Sequence, residues 1–372
     1  MAHYLDPRSG ETFPLDAPRW CGTGRAPLLV SPLPGIGRGA IDRAERSLWR
    51  YRAALPFAPD EPISMGEGCT PLLRRSLHGA EALLKCEWFN PTCSFKDRGA
   101  SVMLSLLRAQ GVGAVLEDSS GNGGAAIAAY AAAGGIRATI MAPASTSPAK
   151  TVQMLAHGAA VELVPGSRQA TADAAVARSG EIFYASHNWH PFFLEGTKTL
   201  AYELWEDLGF RAPDHVVIPC GAGSNVLGCA IGFAELVRSG EIARAPRLWA
   251  VQPAHCGPIA AAVAGVAAGP ILPTIAEGTA IAVPIRLQEV VGALRESGGG
   301  AVSVSEAEIA ASVLDLARMG IYVEPTCAQV AAAFGRLVED GSIAIGETSV
   351  LVLTGTGLKA TPVLAELLGL PL

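Results

Sequence analysis

From Glu81 onward the chain alternates short aliphatic runs with longer segments rich in alanine and leucine. Ala82–Trp88, Ala114–Glu117, Ala138–Met141, Val161–Val164, His215–Ile218, Leu248–Val251 and Val350–Leu353 predict strands, and most of the intervals between them carry helical patterns. Strands separated by helices argue for a largely parallel sheet covered by helices, so the expected class is α/β. Gly111, Gly134, Gly158, Gly180 and Gly320 sit at the junctions and fit helix C-termini, where a left-handed residue is easiest for glycine. No internal repeat or low-complexity tract is visible.

At 372 residues, half of them hydrophobic, the chain is long enough for two domains or one large domain with an insertion. Its net charge of -6, without any basic block, excludes the usual signature of a nucleic-acid or anionic-membrane partner and favours a small-molecule ligand. The apolar stretches, such as 123–135 and 259–269, are too short or too interrupted to span a bilayer and read as buried helices. Residues 1–7 lack a basic patch followed by an apolar run, so no secretory signal is expected and a cytoplasmic location is. Eight cysteines are scattered without paired spacing, the pattern of buried thiols rather than of a disulfide framework. None reads as a nucleophile.

Chemistry enters with Asn90-Pro91-Thr92-Cys93-Ser94-Phe95-Lys96-Asp97-Arg98-Gly99, between an extended apolar run and a helical one. A lysine there can form an imine with an aldehyde cofactor. Three more pieces follow: Ser119-Ser120-Gly121-Asn122-Gly123-Gly124, then Gly221-Ala222-Gly223-Ser224-Asn225, then Thr354-Gly355-Thr356-Gly357-Leu358-Lys359. Gly221 to Asn225 follows a predicted strand and opens a helical pattern, so its N–H groups can converge on a dianionic phosphate. The segment from Ser119 to Gly124 offers a second cluster of donors in the same context. Ser120 or Asn122 could equally serve there as a helix N-cap, and Thr354 could be an ordinary strand-end residue.

Taken as a set, with Gly66-Glu67-Gly68-Cys69-Thr70-Pro71-Leu72 upstream and Glu195-Gly196-Thr197-Lys198-Thr199 in the middle, these motifs resemble the fold type II pyridoxal-phosphate enzymes. The likeness is to the threonine synthase branch, and it runs from about Gly66 to Lys359. It implies pyridoxal 5'-phosphate as cofactor, with Lys96 as its imine lysine and as the base that moves protons at Cα and Cβ. It also implies that Asn122 bonds the phenolic oxygen of the cofactor and that Gly221, Ala222, Gly223, Ser224 and Asn225 hold its phosphate. Thr354 would face the pyridine nitrogen, and Ser119, Ser120, Gly121 and Gly123 the substrate carboxylate. Phe95 and Arg98 fit packing and ion pairing better than catalysis.

The resemblance further implies a small domain at 95–191 inserted into a large one formed by 1–94 and 192–372, with the cofactor between them, and a homodimer. Residues 1–55 are similar to a small zinc ribbon, through Asp6-x-x-Ser9-Gly10 and Cys21-x-Thr23-Gly24, but hold only Cys21 where four thiolates are needed, so no metal is expected. The expected activity is elimination and hydration of an amino acid activated on its side chain, as in O-phosphohomoserine to threonine. Gly123 and Phe193 stand where the family offers a threonine and an arginine to the substrate phosphate, which leaves His187, Asn188, His190 or Lys198 to compensate. Alternatives are a serine or threonine dehydratase or related ammonia-lyase, and a non-catalytic protein that binds the cofactor.

Overall fold

A computed structural model describes residues 2–371. In sequence order the strands are β1 (Tyr4–Leu5), β2 (Thr12–Phe13), β3 (Leu29–Val30), β4 (Leu72–Leu77), β5 (Ala80–Cys86), β6 (Ala114–Glu117), β7 (Arg137–Pro143), β8 (Ala160–Val164), β9 (Phe183–Tyr184), β10 (His215–Pro219), β11 (Arg247–Pro253), β12 (Gly300–Val304) and β13 (Ser349–Leu353). The α-helices are α1 (Lys96–Ala109), α2 (Asn122–Ala133), α3 (Pro148–Ala156), α4 (Arg168–Arg178), α5 (Pro191–Thr197), α6 (Thr199–Asp207), α7 (Ser224–Arg238), α8 (Pro258–Ala264), α9 (Leu287–Glu296), α10 (Glu306–Arg318), α11 (Pro325–Glu339) and α12 (Thr361–Leu367). No helix among the described residues is long and apolar enough to cross a membrane.

The polypeptide divides into two compact units. The first gathers the residues up to Cys69, Asn90–Thr92 and Lys96–Thr199. The second gathers Thr70–Phe89, Cys93–Phe95 and everything from Leu200 onward. Residues 1–69 thus group with the middle of the sequence, whereas the expectation from sequence places 1–94 in the larger domain. The reason is apolar burial: Tyr4, Leu28, Leu48, Trp49 and Ile63 join one core with Met103, Leu107 and Tyr130 of α1 and α2. Trp49 also donates its indole N–H to Ser101 of α1 at 2.9 Å. The ribbon-like start is held by Asp6, whose carboxylate accepts the N–H of Arg8 at 2.9 Å and of Ser9 at 3.3 Å.

In the first unit the sheet runs β8-β7-β6-β9, all parallel. In the second it runs β12-β11-β10-β13-β5-β4, parallel except for the β4–β5 hairpin at one edge. The strands β10 and β13 are buried at every position, which is why they read as unbroken apolar runs in the sequence. The sequence pattern misses β12, whose small and polar residues (Gly-Ala-Val-Ser-Val) are only partly buried. Gly111, Gly158 and Gly320 are left-handed as expected, but at the end of α2 that role falls to Gly135 (φ 68°) and Gly134 stays near φ -90°. Gly180 is not left-handed either.

Sheet order positions two pairs of loops. Strand β6 has β7 on one side and β9 on the other, so the backbone leaves β6 at a point where the connections diverge; β10 is flanked by β11 and β13 in the same way. In open parallel sheets such switch points, at the carboxyl ends of the strands, leave a crevice that a ligand can enter. In the first unit that locus joins 118–121 with 185–190. In the second it joins 220–223 with 354–356.

Candidate active site

Lys96 is the first residue of α1, half-buried, with its Nζ 5.5 Å from the centroid of the Phe193 ring. The turn before it is fastened from within the helix: the Asp97 carboxylate accepts the N–H of Thr92 at 2.6 Å and also the Thr92 hydroxyl. Arg98 is fully buried and donates to Thr199 at 3.3 Å. Helix α5 crosses α1 at two glycines. A Cβ on Gly99 would lie 2.5 Å from the Phe193 ring, and one on Gly196 only 2.1 Å from the Arg98 carbonyl oxygen. The glycine of the Glu195-Gly196 motif is therefore a packing requirement for the helix that carries Lys96.

The loop after β6 leads into α2, whose N-cap is Gly121, a residue that cannot cap with a side group. Neither Ser120 nor Asn122 takes that role, so the plain N-cap explanation for those residues is set aside; Asn122 is the first helical residue. Ser119 is buried and its hydroxyl lies 3.4 Å from the N–H of Gly121. Gly123 and Gly124 are required by crowding: a Cβ would meet the His187 ring and Ser119 Oγ at 2.9 Å in the first case and the Ser119 carbonyl at 2.1 Å in the second.

Beneath this loop lies a buried polar cluster that the sequence did not reveal. Glu117 Oε1 is 2.5 Å from His187 Nδ1, and its other oxygen accepts the His187 backbone N–H at 3.1 Å. Asp118 accepts from Tyr184 at 2.8 Å and pairs with Arg168 at 2.7 Å. Burial, and then the Asp118 charge, push Glu117 well above the usual carboxylate range. Burial, and then the Lys96 charge, push His187 well below the usual imidazole range. Both shifts favour the uncharged form of each partner. Arg168 and the hydrogen bonds of Asp118 outweigh desolvation and hold that carboxylate low, so it stays ionised. In sequence Glu117 and His187 are 70 residues apart, and only the adjacency of β6 and β9 joins them.

In the second unit β10 ends at Pro219 and α7 begins at Ser224, with Gly223 as a left-handed N-cap (φ 92°). A Cβ on Gly223 would lie 2.2 Å from Val290, so that position has no room for a side group, and one on Gly221 would lie 3.1 Å from the Gly278 carbonyl oxygen, a tight fit. Asn225 is buried, yet both polar atoms of its amide lack a hydrogen-bond partner. An orphaned amide in the first turn of a 15-residue helix is costly without a ligand, and the dipole and N–H groups of a helix N-terminus favour an anion. The residues present fit a phosphate.

Thr354 follows β13, beside β10, and is buried. Its hydroxyl lies 3.3 Å from the Cys327 thiol, which also accepts the Gly355 N–H at 2.9 Å. Burial and then Glu324 push Cys327 well above the usual thiol range, so it remains protonated. Cys93–Phe95 pairs with the same loop: Phe95 donates to the Thr354 carbonyl at 3.0 Å, and Ser94 bridges Gly355. The lysine signature and the Thr-Gly-Thr signature thus share a hydrogen-bonded strip. Among the described residues no cluster of three or more His, Cys, Asp or Glu could hold a metal ion.

The family model described as "Pyridoxal-phosphate dependent enzyme" matches residues 63–355. The chain belongs to that family. It is 36% identical to the threonine synthase of Methanosarcina acetivorans over 84% of this chain and 80% of that protein, and 34% identical to that of Methanocaldococcus jannaschii over 87% and 83%. Solved structures agree on the fold: threonine deaminase isoform 2 from Solanum lycopersicum aligns with a TM-score of 0.70 at 22% identity, covering 91% of both proteins. A fungal L-serine ammonia-lyase from Rhizomucor miehei aligns equally well (0.70, 22%) over 83% of this chain and 99% of its own. This pyridoxal-phosphate enzyme is thus a fold type II lyase of threonine synthase type.

Proposed function

We propose that Lys96 anchors the cofactor covalently, that Gly221 to Asn225 hold its phosphate, and that the enzyme eliminates a side-group substituent from an amino acid and adds water to the product. The observation that carries this assignment of sites is the unpartnered, buried Asn225 amide at the start of α7, one strand away from Thr354. When bound, pyridoxal phosphate supplies an electron sink for the negative charge left when a proton departs from the amino acid.

The protein's part is binding and proton handling. Three consecutive small residues before α7 let backbone N–H groups approach the phosphate, and Asn225 adds its amide. Thr354 offers the pyridine nitrogen a neutral hydroxyl, which leaves that nitrogen less protonated than a carboxylate would, and Cys327 fixes the rotamer of that hydroxyl. The N–H groups at the start of α2, with Ser119 and Ser120, receive the amino-acid carboxylate, and Asn122 the phenolic oxygen. The amine of Lys96 would move protons at the substrate's Cα and Cβ.

Borohydride reduction of protein saturated with pyridoxal phosphate should leave the reduced cofactor on Lys96, read by peptide mass spectrometry, and Lys96→Ala should show no near-visible absorbance. An unmodified Lys96 in saturated wild type overturns the assignment. Release of phosphate with formation of threonine would support the hydration route, and ammonia with a keto acid would support the dehydratase one.

A further inference from the structure

A phosphate ester on a substrate needs cations or a fork of donors, because a buried dianion without them is strongly disfavoured. Around Phe193 and His187 in the first unit, the cations at hand among the described residues are already held by carboxylates. The Lys96 amine faces the ring of Phe193, and the Phe193 ring stacks edge-on against His187 at 5.7 Å. His187 spends Nδ1 on Glu117 and fills the space that a larger residue at Gly123 would take. The cations nearby are committed elsewhere: Arg168 pairs with Asp118 at 2.7 Å, and Lys198 pairs with Glu195 at 2.5 Å and donates to the Ala54 carbonyl at 2.8 Å. His190 is used as the N-cap of α5, its Nδ1 accepting the Phe192 N–H. Of the groups that could have compensated for Phe193, three are therefore tied into the fold. A buried acid, Glu117, stands behind the imidazole instead.

We infer that the wall presented by His187, backed by the fully buried Phe193 ring and Glu117 carboxyl, selects an amino acid whose departing group is uncharged, a hydroxyl or an acyl ester, and rejects a phosphate ester. The substrate's carbon–oxygen bond and a carbon–hydrogen bond on the neighbouring carbon break, a carbon–carbon double bond forms between the two carbons, and the oxygen leaves as water or a carboxylic acid carrying that proton. His187 offers its Nε2 to that oxygen, and Glu117 orients the ring. This inference rests on the lyase reading above and narrows its substrate.

The test uses the holoenzyme and the cofactor's own absorbance. L-serine, L-threonine, L-homoserine, O-acetyl-L-serine and O-acetyl-L-homoserine are titrated beside O-phospho-L-homoserine. At least one unphosphorylated amino acid should shift the spectrum at a tenfold lower concentration than the phosphate ester, and inorganic phosphate should not compete with it. His187→Gln should weaken that titration tenfold while leaving the resting spectrum unchanged, which separates contact with substrate from support of the fold. Phe193→Arg, if it folds, should narrow the gap. Tighter binding of O-phospho-L-homoserine, or silence from all the unphosphorylated amino acids in a coloured holoenzyme, would sink the inference and leave the cofactor assignment standing. A protein that stays colourless with the cofactor would sink the underlying reading instead.

Discussion

Gly196→Ala offers a severe test of the view that the Glu-Gly motif exists to seat α5 on the lysine helix. The added Cβ would lie 2.1 Å from the Arg98 carbonyl oxygen and 2.7 Å from Gly99 Cα, where real Cβ atoms essentially never come within 3.0 Å. The obstacle is backbone in the first turn of α1, so no side-group rotation relieves it and the helices must part by most of an ångström. Overpacking of this kind costs about 3 kcal/mol. For a unit of this size each kcal/mol moves the thermal midpoint by roughly 2–4 °C, so a fall of about 6–12 °C is expected in far-UV circular dichroism. Gly292→Ala is the matched control. It lies inside α9 with nothing within 4 Å of the new methyl, and the change should raise stability by about 0.5–1 kcal/mol through helix propensity. If Gly196→Ala melts within about 1 °C of wild type, a shift well below the one overpacking implies, the close crossing is not a constraint and the reasoning fails.

Asn225→Asp puts a negative charge beside the proposed phosphate cradle and should weaken cofactor binding at least tenfold by equilibrium dialysis, whereas Asn225→Ala should weaken it less; equal affinity in all three proteins would refute the cradle. Lys85 is fully buried between Glu203 (2.6 Å) and Asp207 (2.7 Å), so Lys85→Met strands a buried carboxylate and should cost about 3–5 kcal/mol in chemical denaturation. Adding Glu203→Gln should recover part of that loss, and a fully additive double mutant would contradict the coupling. Glu308 closes a capping box with Ser305 and pairs with Arg336, bonds that outweigh desolvation and hold its carboxyl below the usual range. A depressed acid stabilises the fold above its unfolded pKa and loses that contribution as pH falls through the folded one. Thermal midpoints of wild type and Glu308→Gln should therefore differ near neutral pH, by at most about 1 kcal/mol of stability, and converge in acid.

Much of this was legible because parallel strands buried on both faces leave unbroken aliphatic runs, as at 215–218 and 350–353, and because glycine loops follow them directly. The lysine, the loop from Gly221 to Asn225 and Thr354 each sit beside such a run. What stayed hidden has two causes. Pairings such as Glu117 with His187, or Cys327 with Thr354, depend on which strands and helices become neighbours, and local pattern carries no trace of that. The grouping of the first 69 residues was hidden for another reason: their buried members, Tyr4, Leu28, Leu48 and Trp49, are spread among turns and short extended pieces with no periodicity to read. Lys198 shows the opposite error. Its polarity suggests an available cation, yet it is buried with Glu195.

The family match begins at residue 63, but the material before it is not an appendage. Tyr4 and Trp49 are among the largest residues with almost no solvent contact, and Lys198 donates to the carbonyl of Ala54. A polypeptide trimmed to the matched region would uncover the outer flank of the lysine-bearing helix and take the Ala54 carbonyl from the Lys198 ammonium. What evolution reuses as a module and what can fold as a body are, in this enzyme, different lengths of polypeptide.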